Sequence, residues 1–450
     1  MTIASAPGKV LICGGYLVVE QPNVGLSLSV TARFITRVLR EESSAGPQLT
    51  ILSPQFQKEF SYTVRADDAS NITIEQTSGP KSPFLQFGCL YSIASVVLQR
   101  GSCPPKHLIL ELLASNDFYS QRNFLESLGK KVTVDTLREV PAYHPLVGEV
   151  SKTGLGSSAA MTTSLVACIH KHFGCAGSLE LIHRIAQIAH SVAQGKVGSG
   201  FDVYTATYGT CIYRRFPASR VQSLLQKFVG VKDLQRCVEL SQQWVETTPF
   251  PGLPRGLKLI LADIHQGGSS TPGMVTKIMS WRDSVRAVPN NIWDRLKSAN
   301  EAYIQLLQEL CRQQEDTPSK HDDAVNALRL VKLANAHADG RPPAEQRWLA
   351  AHAAAKRCRE LLRALGDAAD VKVEPKELTP LLDETARLPG VLATGCPGAG
   401  GYDAVFALVL GNEENTRSVE RFWQEYRGLD VCPLLVREDP VGLSFHESRL

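Results

Sequence analysis

The segment KTGLGSSAAM, from Lys152 to Met161, constrains the chain most, because a glycine- and serine-rich run leads directly into an alanine-rich segment that favours helix. Its glycines let the backbone approach a ligand closely. The first N–H groups of a helix have no partner within the helix, and the helix dipole adds partial positive charge there. The segment therefore predicts an anion site, to which Lys152 adds a cation and Ser157 and Ser158 add hydroxyls suited to phosphate oxygens or phosphate-bound Mg²⁺.

Other interpretations of this segment fit less well. The run Gly154-Leu155-Gly156-Ser157-Ser158-Ala159 matches the dinucleotide fingerprint G-x-G-x-x-A. However, no buried parallel strand is predicted before it, and no acidic residue ends a second strand about 20 positions later. A Walker A loop would close with Gly-Lys-Ser/Thr, which is absent from the segment. A plain serine-capped linker would need neither Lys152 nor a second serine.

Charge and hydropathy exclude several classes of partner. The 450-residue chain has 48 Lys and Arg against 45 Asp and Glu, so bulk charge indicates neither a nucleic-acid nor a membrane partner. No apolar run approaches the roughly 18–20 residues of a membrane helix. The apolar N-terminal stretch lacks a basic start and is interrupted by Pro7, Gly8 and Lys9, unlike a signal peptide. We therefore expect any anionic ligand to be bound by a local arrangement of residues.

Cysteine usage and the C-terminal tripeptide bear on the cellular compartment. The eleven cysteines are an odd number and include no C-x-x-C pair, which favours a reducing interior over secretion. We therefore predict a cytoplasmic protein. The alternative is the peroxisome, because Ser448-Arg449-Leu450 is one conservative change from the Ser-Lys-Leu address.

The chain is predicted to divide at a proline- and glycine-rich segment, PFPGLPRG, from Pro249 to Gly256. Residues 1–248 begin with strand-like runs and become helical later, whereas residues 257–450 begin with the apolar strand LKLILADI and continue with long helical patterns. Ser178 is typical of the N-cap of a helix that ends near Gly195, and Thr379 and Pro380 are typical of an N-cap and first helical turn. Both parts are therefore expected to be α+β or α/β.

Four other segments have features of a ligand site. A lysine lies at the entry to a strand in SAPGKVLICGGYLV, and an aspartate lies on a glycine loop in GKVGSGFDV. A second glycine loop, which lets a ligand approach the backbone closely, is found in ATGCPGAGGYDAV. Hydroxyl side chains stand at a predicted helix start in HQGGSSTPGMV. Each alone has an ordinary explanation, such as an edge lysine or an N-cap aspartate. Together with KTGLGSSAAM they predict a phosphoryl-transfer site for two phosphorylated ligands. The residues concerned are Lys9, Asp202, Gly398, Gly400, Gly401, Ser269, Ser270 and Thr271.

These segments together resemble the motifs of the GHMP kinase superfamily. SAPGKVLICGGYLV resembles the first motif, KTGLGSSAAM the ATP-binding second motif and ATGCPGAGGYDAV the third. The first motif reads Gly14-Gly15-Tyr16 where mevalonate kinases carry Gly-Glu-His. That variant, with GKVGSGFDV and GGSSTPGMV, resembles the members that act on 5-phosphomevalonate. The resemblance extends from residue 3 to about residue 410.

The resemblance implies a fold and a reaction. The expected fold is α+β with two domains: a mixed α/β N-terminal domain that carries the glycine-rich phosphate loop, and a ferredoxin-like α+β C-terminal domain, with the substrates in the cleft between them. The implied reaction transfers the γ-phosphoryl group of ATP to 5-phosphomevalonate, with Mg²⁺. The implied partner is this small molecule, with no nucleic acid and no membrane, and the chain would be a monomer or homodimer.

The resemblance also implies roles for individual residues. Lys9 and Asp202 would be the catalytic pair, with Lys9 stabilising charge and Asp202 acting as base or orienter, and Ser158 would hold Mg²⁺. Nucleotide-binding residues would be Lys152, Gly154, Leu155, Gly156, Ser157, Ser158, Ala159, Ala160, Gly398, Gly400 and Gly401. The acceptor would be bound by Tyr16, Lys196, Ser199, Ser269, Ser270 and Thr271.

Three alternatives remain open at this point. A sister kinase of the same superfamily, acting on mevalonate or homoserine, is the first alternative. A decarboxylase with the same fold is less similar, because its first motif lacks the lysine found at Lys9. A non-catalytic binding protein on a degenerate fold would be expected to have lost Lys9, Asp202 or the glycine-serine loop, all of which are present.

Overall fold

The structure is a computed structural model that describes residues 2–68, 71–148, 151–175, 178–226, 231–239, 244, 247–264 and 271–447. The strands are β1 (Thr2–Cys13), β2 (Val24–Ser43), β3 (Gln48–Ser53), β4 (Lys58–Asp68), β5 (Asn71–Ser78), β6 (Lys106–Ala114), β7 (Cys211–Arg214), β8 (Thr248–Pro249), β9 (Leu257–Ile264), β10 (Val391–Gly395), β11 (Ala404–Leu410), β12 (Val431–Pro433) and β13 (Ser444–Glu447). The helices are α1 (Pro83–Arg100), α2 (Arg122–Ser127), α3 (Val134–Arg138), α4 (Ser157–His172), α5 (Leu179–Gln194), α6 (Phe201–Tyr208), α7 (Ser219–Gln226), α8 (Val231–Val238), α9 (Thr271–Val285), α10 (Ile292–Asp316), α11 (Pro318–Leu328), α12 (Pro343–Ala368), α13 (Leu378–Ala386) and α14 (Glu413–Glu425). Within these ranges, no helix combines the length and the apolar character needed to cross a membrane.

The first sheet places the predicted phosphate loop, which is the glycine-serine segment from Lys152 to Ser158 at the start of α4, beside the first strand. Its strand order is β13-β1-β2-β6-β3-β4-β5, and β7 pairs with the start of β2. Along β2, Phe34 and Val38 belong to a core in which Leu165 and Ile169 of α4 are also fully buried. Because α4 packs on both β1 and β2, the loop that opens α4 lies against β1.

The second sheet confirms the ferredoxin-like layer. Its antiparallel strand order is β10-β11-β9-β12, and the chain order β9, β10, β11, α14, β12 gives the arrangement 4-1-3-2 when read from β12. Ile260, Ala262 and Ile264 face the core that α13 and α14 cover, whereas Leu259 and Leu261 face the core that includes α10 and α12. Both faces of β9 are buried, which explains why LKLILADI is almost continuously apolar.

The end of the chain returns to the first sheet. Strand β13 pairs with β1, antiparallel, from Thr2↔Glu447 to Ser5↔Ser444. Upstream of it, the Thr31 N–H donates to the Arg437 carbonyl at 2.9 Å, and the Asp439 N–H donates to the Ser29 carbonyl at 3.1 Å. Pairing with the tail covers an edge of β1 that would otherwise be open. The tail is therefore bonded to the sheet of the N-terminal part, and the division into 1–248 and 257–450 stays a prediction.

Local signals predict both ends of α5 correctly and the start of α13 wrongly. The Ser178 hydroxyl accepts from the Leu181 N–H at 3.3 Å, and Gly195 ends α5 with φ 68°, both as the sequence predicts. The prediction that Thr379 caps α13 is wrong, because α13 begins at Leu378. The Leu378 and Thr379 N–H groups both donate to the Pro375 carbonyl, so the first turn closes earlier. Pro380 is tolerated because N–H groups of a first turn need no partner within the helix.

Glu438 joins this returning tail to the predicted boundary segment. Its Oε1 accepts from the Leu253 N–H at 2.9 Å. Burial raises the pKa of Glu438 from its ordinary value of 4.5 to about 7, against the effect of that hydrogen bond, and the neighbouring Asp439 raises it further. Since the folded pKa exceeds the unfolded one, the folded state binds more protons, and stability falls as pH rises from about 4.5 to about 7.

We predict that Glu438→Gln stabilises the protein at pH 8 by on the order of 1–2 kcal/mol and has little effect at pH 4, where the carboxyl group is protonated in both states. The amide oxygen of Gln keeps an acceptor for Leu253 without a buried charge. Urea unfolding at both pH values measures the difference. Glu425→Gln, at an exposed position of α14, serves as the control. An effect of Glu438→Gln that is equal at both pH values would contradict the prediction.

Candidate active site

The phosphate loop has the geometry of a helix N-terminus opened by glycine. Gly156 is the N-cap of α4 and has φ 75°, a left-handed conformation that favours glycine. A Cβ atom at Gly156 would lie 2.9 Å from Cε of Lys9, so no larger residue fits there without displacing the lysine. The first N–H groups of α4 and the Ser157 and Ser158 side chains follow directly. At the predicted anion site, the loop that opens α4 therefore lies in close contact with the Lys9 side chain.

Lys9 is bonded to this loop by both its backbone and its side chain. Its N–H donates to the Leu155 carbonyl at 2.9 Å, and its Nζ donates to the Gly154 carbonyl at 2.9 Å. Nζ also lies 5.2 Å from the centre of the Phe201 ring. Burial lowers the pKa of Lys9, and the negative charges of Asp202 and Asp403 oppose that shift. The two carboxylates therefore favour the charged ammonium in a partly dehydrated site.

Asp202 is held on the first turn of a short helix. Gly200, with φ 86°, is the N-cap of α6, so Asp202 itself is not the cap. Its Oδ1 accepts from the Val203 N–H at 3.0 Å, and its Oδ2 lies 3.9 Å from Nε2 of His190. The side chain is 22% exposed, which leaves the carboxylate accessible to a ligand.

A polar stripe on α5 supplies residues that the sequence analysis missed. Gln187, His190 and Gln194 are spaced three and four apart, so they share one helix face, and Gln187 and His190 are only 1% and 3% exposed. The Ser158 hydroxyl lies 3.0 Å from Nε2 of His190. Burial lowers the pKa of His190, opposed by Asp202, so the ring is neutral near pH 7. Amide and imidazole groups at helical spacing among apolar residues are the signal that could have revealed this stripe.

One cavity of about 580 Å³ brings most of the predicted site residues together. The predicted residues that line it are Lys9, Lys152, Gly154, Leu155, Gly156, Ser157, Ser158, Lys196, Ser199 and Asp202. Arg215, another residue that the sequence analysis missed, also lines it. The Arg215 guanidinium donates to the carbonyls of Val19 and, at 2.6 Å, Gly198. Cations thus outnumber carboxylates in the cavity lining, as anionic ligands require.

Of the other predicted site residues, two pack inside α4 and three have side chains outside the described part of the chain. Ala159 and Ala160 are fully buried inside α4, where they pack rather than face a ligand. Ser269 and Ser270 lie outside the described residues. Thr271 begins α9, although its side chain is outside the described part, and Val275, Thr276 and Met279 of the same helix line the cavity.

The third motif and Tyr16 contact each other, and the third motif also contacts the strand that carries Lys9. The Tyr16 hydroxyl donates to the Ala399 carbonyl at 2.5 Å, and the side chain is only 3% exposed, so it does not line the cavity. The Gly398 N–H donates to the Leu11 carbonyl at 3.0 Å, two residues from Lys9 along β1. Gly400 has φ 78°, and a Cβ there would lie 2.0 Å from the Val373 carbonyl oxygen. Gly401 follows, and its N–H donates to that same carbonyl.

A second cavity, of about 310 Å³, adjoins the phosphate loop. Its lining includes the aromatic rings of Phe56, Phe60, Phe84 and Tyr119. Lys152, Ser157 and Ser158 line both cavities, so the start of α4 separates an aromatic pocket from a charged one.

The chain matches known proteins along nearly its whole length. The family model described as the GHMP kinases N terminal domain matches residues 118–210, which include the phosphate loop and Asp202. The Arabidopsis thaliana protein named phosphomevalonate kinase, peroxisomal, is 36% identical over 98% of this chain and 95% of that protein. The phosphomevalonate kinase of Gibberella zeae is 33% identical over 98% of this chain and 96% of its own.

Solved structures agree on the fold. Streptococcus pneumoniae phosphomevalonate kinase, in complex with phosphomevalonate and AMPPNP, has a TM-score of 0.62 at 13% identity, covering 98% of this chain and 100% of that one. Methanococcus jannaschii mevalonate kinase has a TM-score of 0.52 at 14% identity, covering 97% and 98%. These two confirm the GHMP kinase fold, and the sequence relatives place the chain within it. This chain belongs to the phosphomevalonate kinase family of ATP-dependent GHMP kinases.

Proposed function

We propose that this chain transfers the γ-phosphoryl group of ATP to the phosphate of 5-phosphomevalonate, giving ADP and 5-diphosphomevalonate. The observation that carries this proposal is Lys9, bonded through N and Nζ to the phosphate loop and sharing one cavity with Asp202. Phosphoryl transfer requires reactants held in line and charge stabilised on the transferred oxygens, and Lys9 would supply the stabilising charge. The acceptor follows from the names of the sequence relatives.

The two adjoining cavities suggest where ATP lies. The aromatic pocket suits a purine ring, because bases stack on aromatic side chains. The triphosphate would then pass over Ser157 and Ser158, at the N-terminus of α4, into the charged cavity. This direction brings the γ-phosphate towards Lys9 and Asp202.

The donor set fits a nucleotide-bound Mg²⁺. Mg²⁺ prefers oxygen ligands and is usually held by one or two protein groups together with substrate phosphates and water. The Ser158 hydroxyl lies at the N-terminus of α4, in the lining of both cavities, and would be its protein ligand. When bound there, Mg²⁺ neutralises developing charge on the β- and γ-phosphate oxygens.

The acceptor would lie at the Lys196–Gly200 side of the charged cavity. Lys196, Ser199 and Arg215 all line the cavity there and offer cations and a hydroxyl to a phosphate or carboxylate. An acceptor phosphate is already anionic at neutral pH, since its second pKa is about 6. Asp202 is therefore expected to orient Lys9 and the acceptor rather than to remove a proton. Lys9 would stabilise the charge on the transferred group.

Substrate choice tests the proposed function directly. ADP release by the purified protein, measured with 5-phosphomevalonate, mevalonate and homoserine in turn, is expected with 5-phosphomevalonate alone, because the acceptor side of the cavity carries cations for a phosphate. Turnover on the unphosphorylated alcohols instead would assign the chain to a sister kinase. Release of carbon dioxide from 5-diphosphomevalonate would favour a decarboxylase.

Variants of the catalytic pair test its role. We expect Lys9→Met to lower kcat about 10²- to 10³-fold, because one preorganised charged donor contributes about 3–4 kcal/mol to the barrier. Asp202→Ala is expected to lower kcat by orders of magnitude through loss of orientation. Lys320→Met, at an exposed position of α11, is the matched control. Near-wild-type rates in folded Lys9→Met and Asp202→Ala proteins would remove both residues from the mechanism.

The C-terminal tripeptide is proposed to direct the protein to peroxisomes. Ser448-Arg449-Leu450 keeps the small–basic–leucine pattern of that address, and the Arabidopsis relative is named peroxisomal. These three residues lie outside the described part of the chain. Fluorescence imaging of an N-terminally tagged protein is expected to show peroxisomal puncta that disappear when the three residues are deleted. A cytoplasmic signal for both forms would contradict the proposal and would favour the prediction of a cytoplasmic protein.

A further inference from the structure

The ring of His190 contacts Ser158 through a single nitrogen. Nε2 lies 3.0 Å from the Ser158 hydroxyl oxygen and 3.3 Å from the Gln194 side-chain nitrogen, whereas the nearer oxygen of Asp202 is 3.9 Å away. An amide nitrogen is only a donor, and a carboxylate at 3.9 Å is beyond hydrogen-bond distance. With the Gln194 amide nitrogen turned towards it, Nε2 is assigned as the acceptor, in the tautomer that carries its proton on Nδ1, and its closest donor is then the serine O–H.

Accepting this proton fixes which side of Ser158 faces the cavity. A serine hydroxyl has one proton and two lone pairs, and it rotates to suit its neighbours. With the proton directed at Nε2, the lone pairs are left for the cavity that both phosphate-loop serines line. Without an acceptor, the hydroxyl is free to turn its proton towards a phosphate oxygen instead. A cation requires the lone pair, whereas a metal-free phosphate accepts the proton.

We propose that His190 is a positioning residue that holds the Ser158 hydroxyl with its lone pairs towards the cavity, and so makes the site prefer the metal-bound nucleotide over the metal-free one. This inference rests on the proposed function, which makes Ser158 the protein ligand of Mg²⁺.

The surroundings of His190 suit this role. The residue is 3% exposed, and its ring lies against Phe84 with the ring centroids 5.2 Å apart, so the imidazole is held in place by packing. Gln194, one turn further along α5, contacts the same nitrogen and lines the same cavity. Ring orientation set by outer contacts is the usual way in which a protein directs a metal ligand.

Binding of AMPPNP by calorimetry, with Mg²⁺ and with EDTA, tests the proposal apart from activity. We expect His190→Leu to weaken binding of Mg²⁺–AMPPNP about 10-fold, and to leave metal-free AMPPNP within about twofold of wild type. His190→Gln keeps a side-chain acceptor and is expected to restore most of the affinity. Adding His190→Leu to Ser158→Ala is expected to have no further effect, because His190 acts through the serine. His172→Leu, at the far end of α4, is the control and should bind both forms as wild type does.

The outcomes separate this inference from the proposed function. Equal losses for metal-bound and metal-free nucleotide in His190→Leu would overturn the inference, since that result indicates a structural role. A metal preference that is lost in Ser158→Ala but kept in His190→Leu would overturn the inference alone. A metal preference kept in Ser158→Ala would overturn the metal role of Ser158 in the proposed function as well.

The wild-type protein offers a test that needs no variant to fold. In ¹⁵N NMR of histidine-labelled protein, we expect Nε2 of His190 to have the shift of an unprotonated ring nitrogen, with the proton on Nδ1. A proton on Nε2 at neutral pH would overturn the proposal.

Discussion

The double attachment of Lys9 to the phosphate loop is the contact on which the rest of the site depends. Its backbone N–H and its ammonium bond to the carbonyls of two neighbouring loop residues, Leu155 and Gly154. Strand β1 fixes the lysine backbone, and the loop fixes its side chain. Because α4 begins immediately after this loop, the charge of Lys9 and the N-terminus of the helix are held next to each other before any ligand binds. Such preorganisation is what phosphoryl transfer asks of a protein.

Glycines of the second and third motifs support this contact in different ways. Gly156 is needed because any side chain there would meet Lys9. The Gly398–Gly401 loop binds the backbone of β1 through Leu11 and receives the hydroxyl of Tyr16, so it braces the strand that carries Lys9. A motif that resembles a ligand loop in sequence thus contributes here through backbone contacts with its neighbours.

Two carboxylates offset the effect of dehydration on the half-buried Lys9. Burial lowers the pKa of Lys9, and the carboxylates of Asp202 and Asp403 counteract that shift. Asp403 lies within the third motif, so the motif that supports β1 also carries a charge that favours the ammonium form of Lys9. Nearby, burial favours the neutral ring of His190, which is therefore available as a hydrogen-bond acceptor beside Ser158. One cavity thus holds a lysine whose charged form is favoured by two carboxylates and a histidine whose neutral form is favoured by burial.

The sequence by itself determined what depends on neighbours along the chain. It predicted the glycine-serine start of α4, the start of α5 at Ser178 and its end at Gly195, and the apolar strand β9, because capping, glycine conformation and apolar periodicity are local properties. Only the tertiary structure decided that His190 and Arg215 line the cavity whereas Tyr16 does not. It also decided that the C-terminal tail pairs with β1. Those outcomes depend on which surfaces pack together across hundreds of residues. The helical spacing of Gln187, His190 and Gln194 indicates a polar stripe on α5, but it does not indicate which cavity that stripe lines.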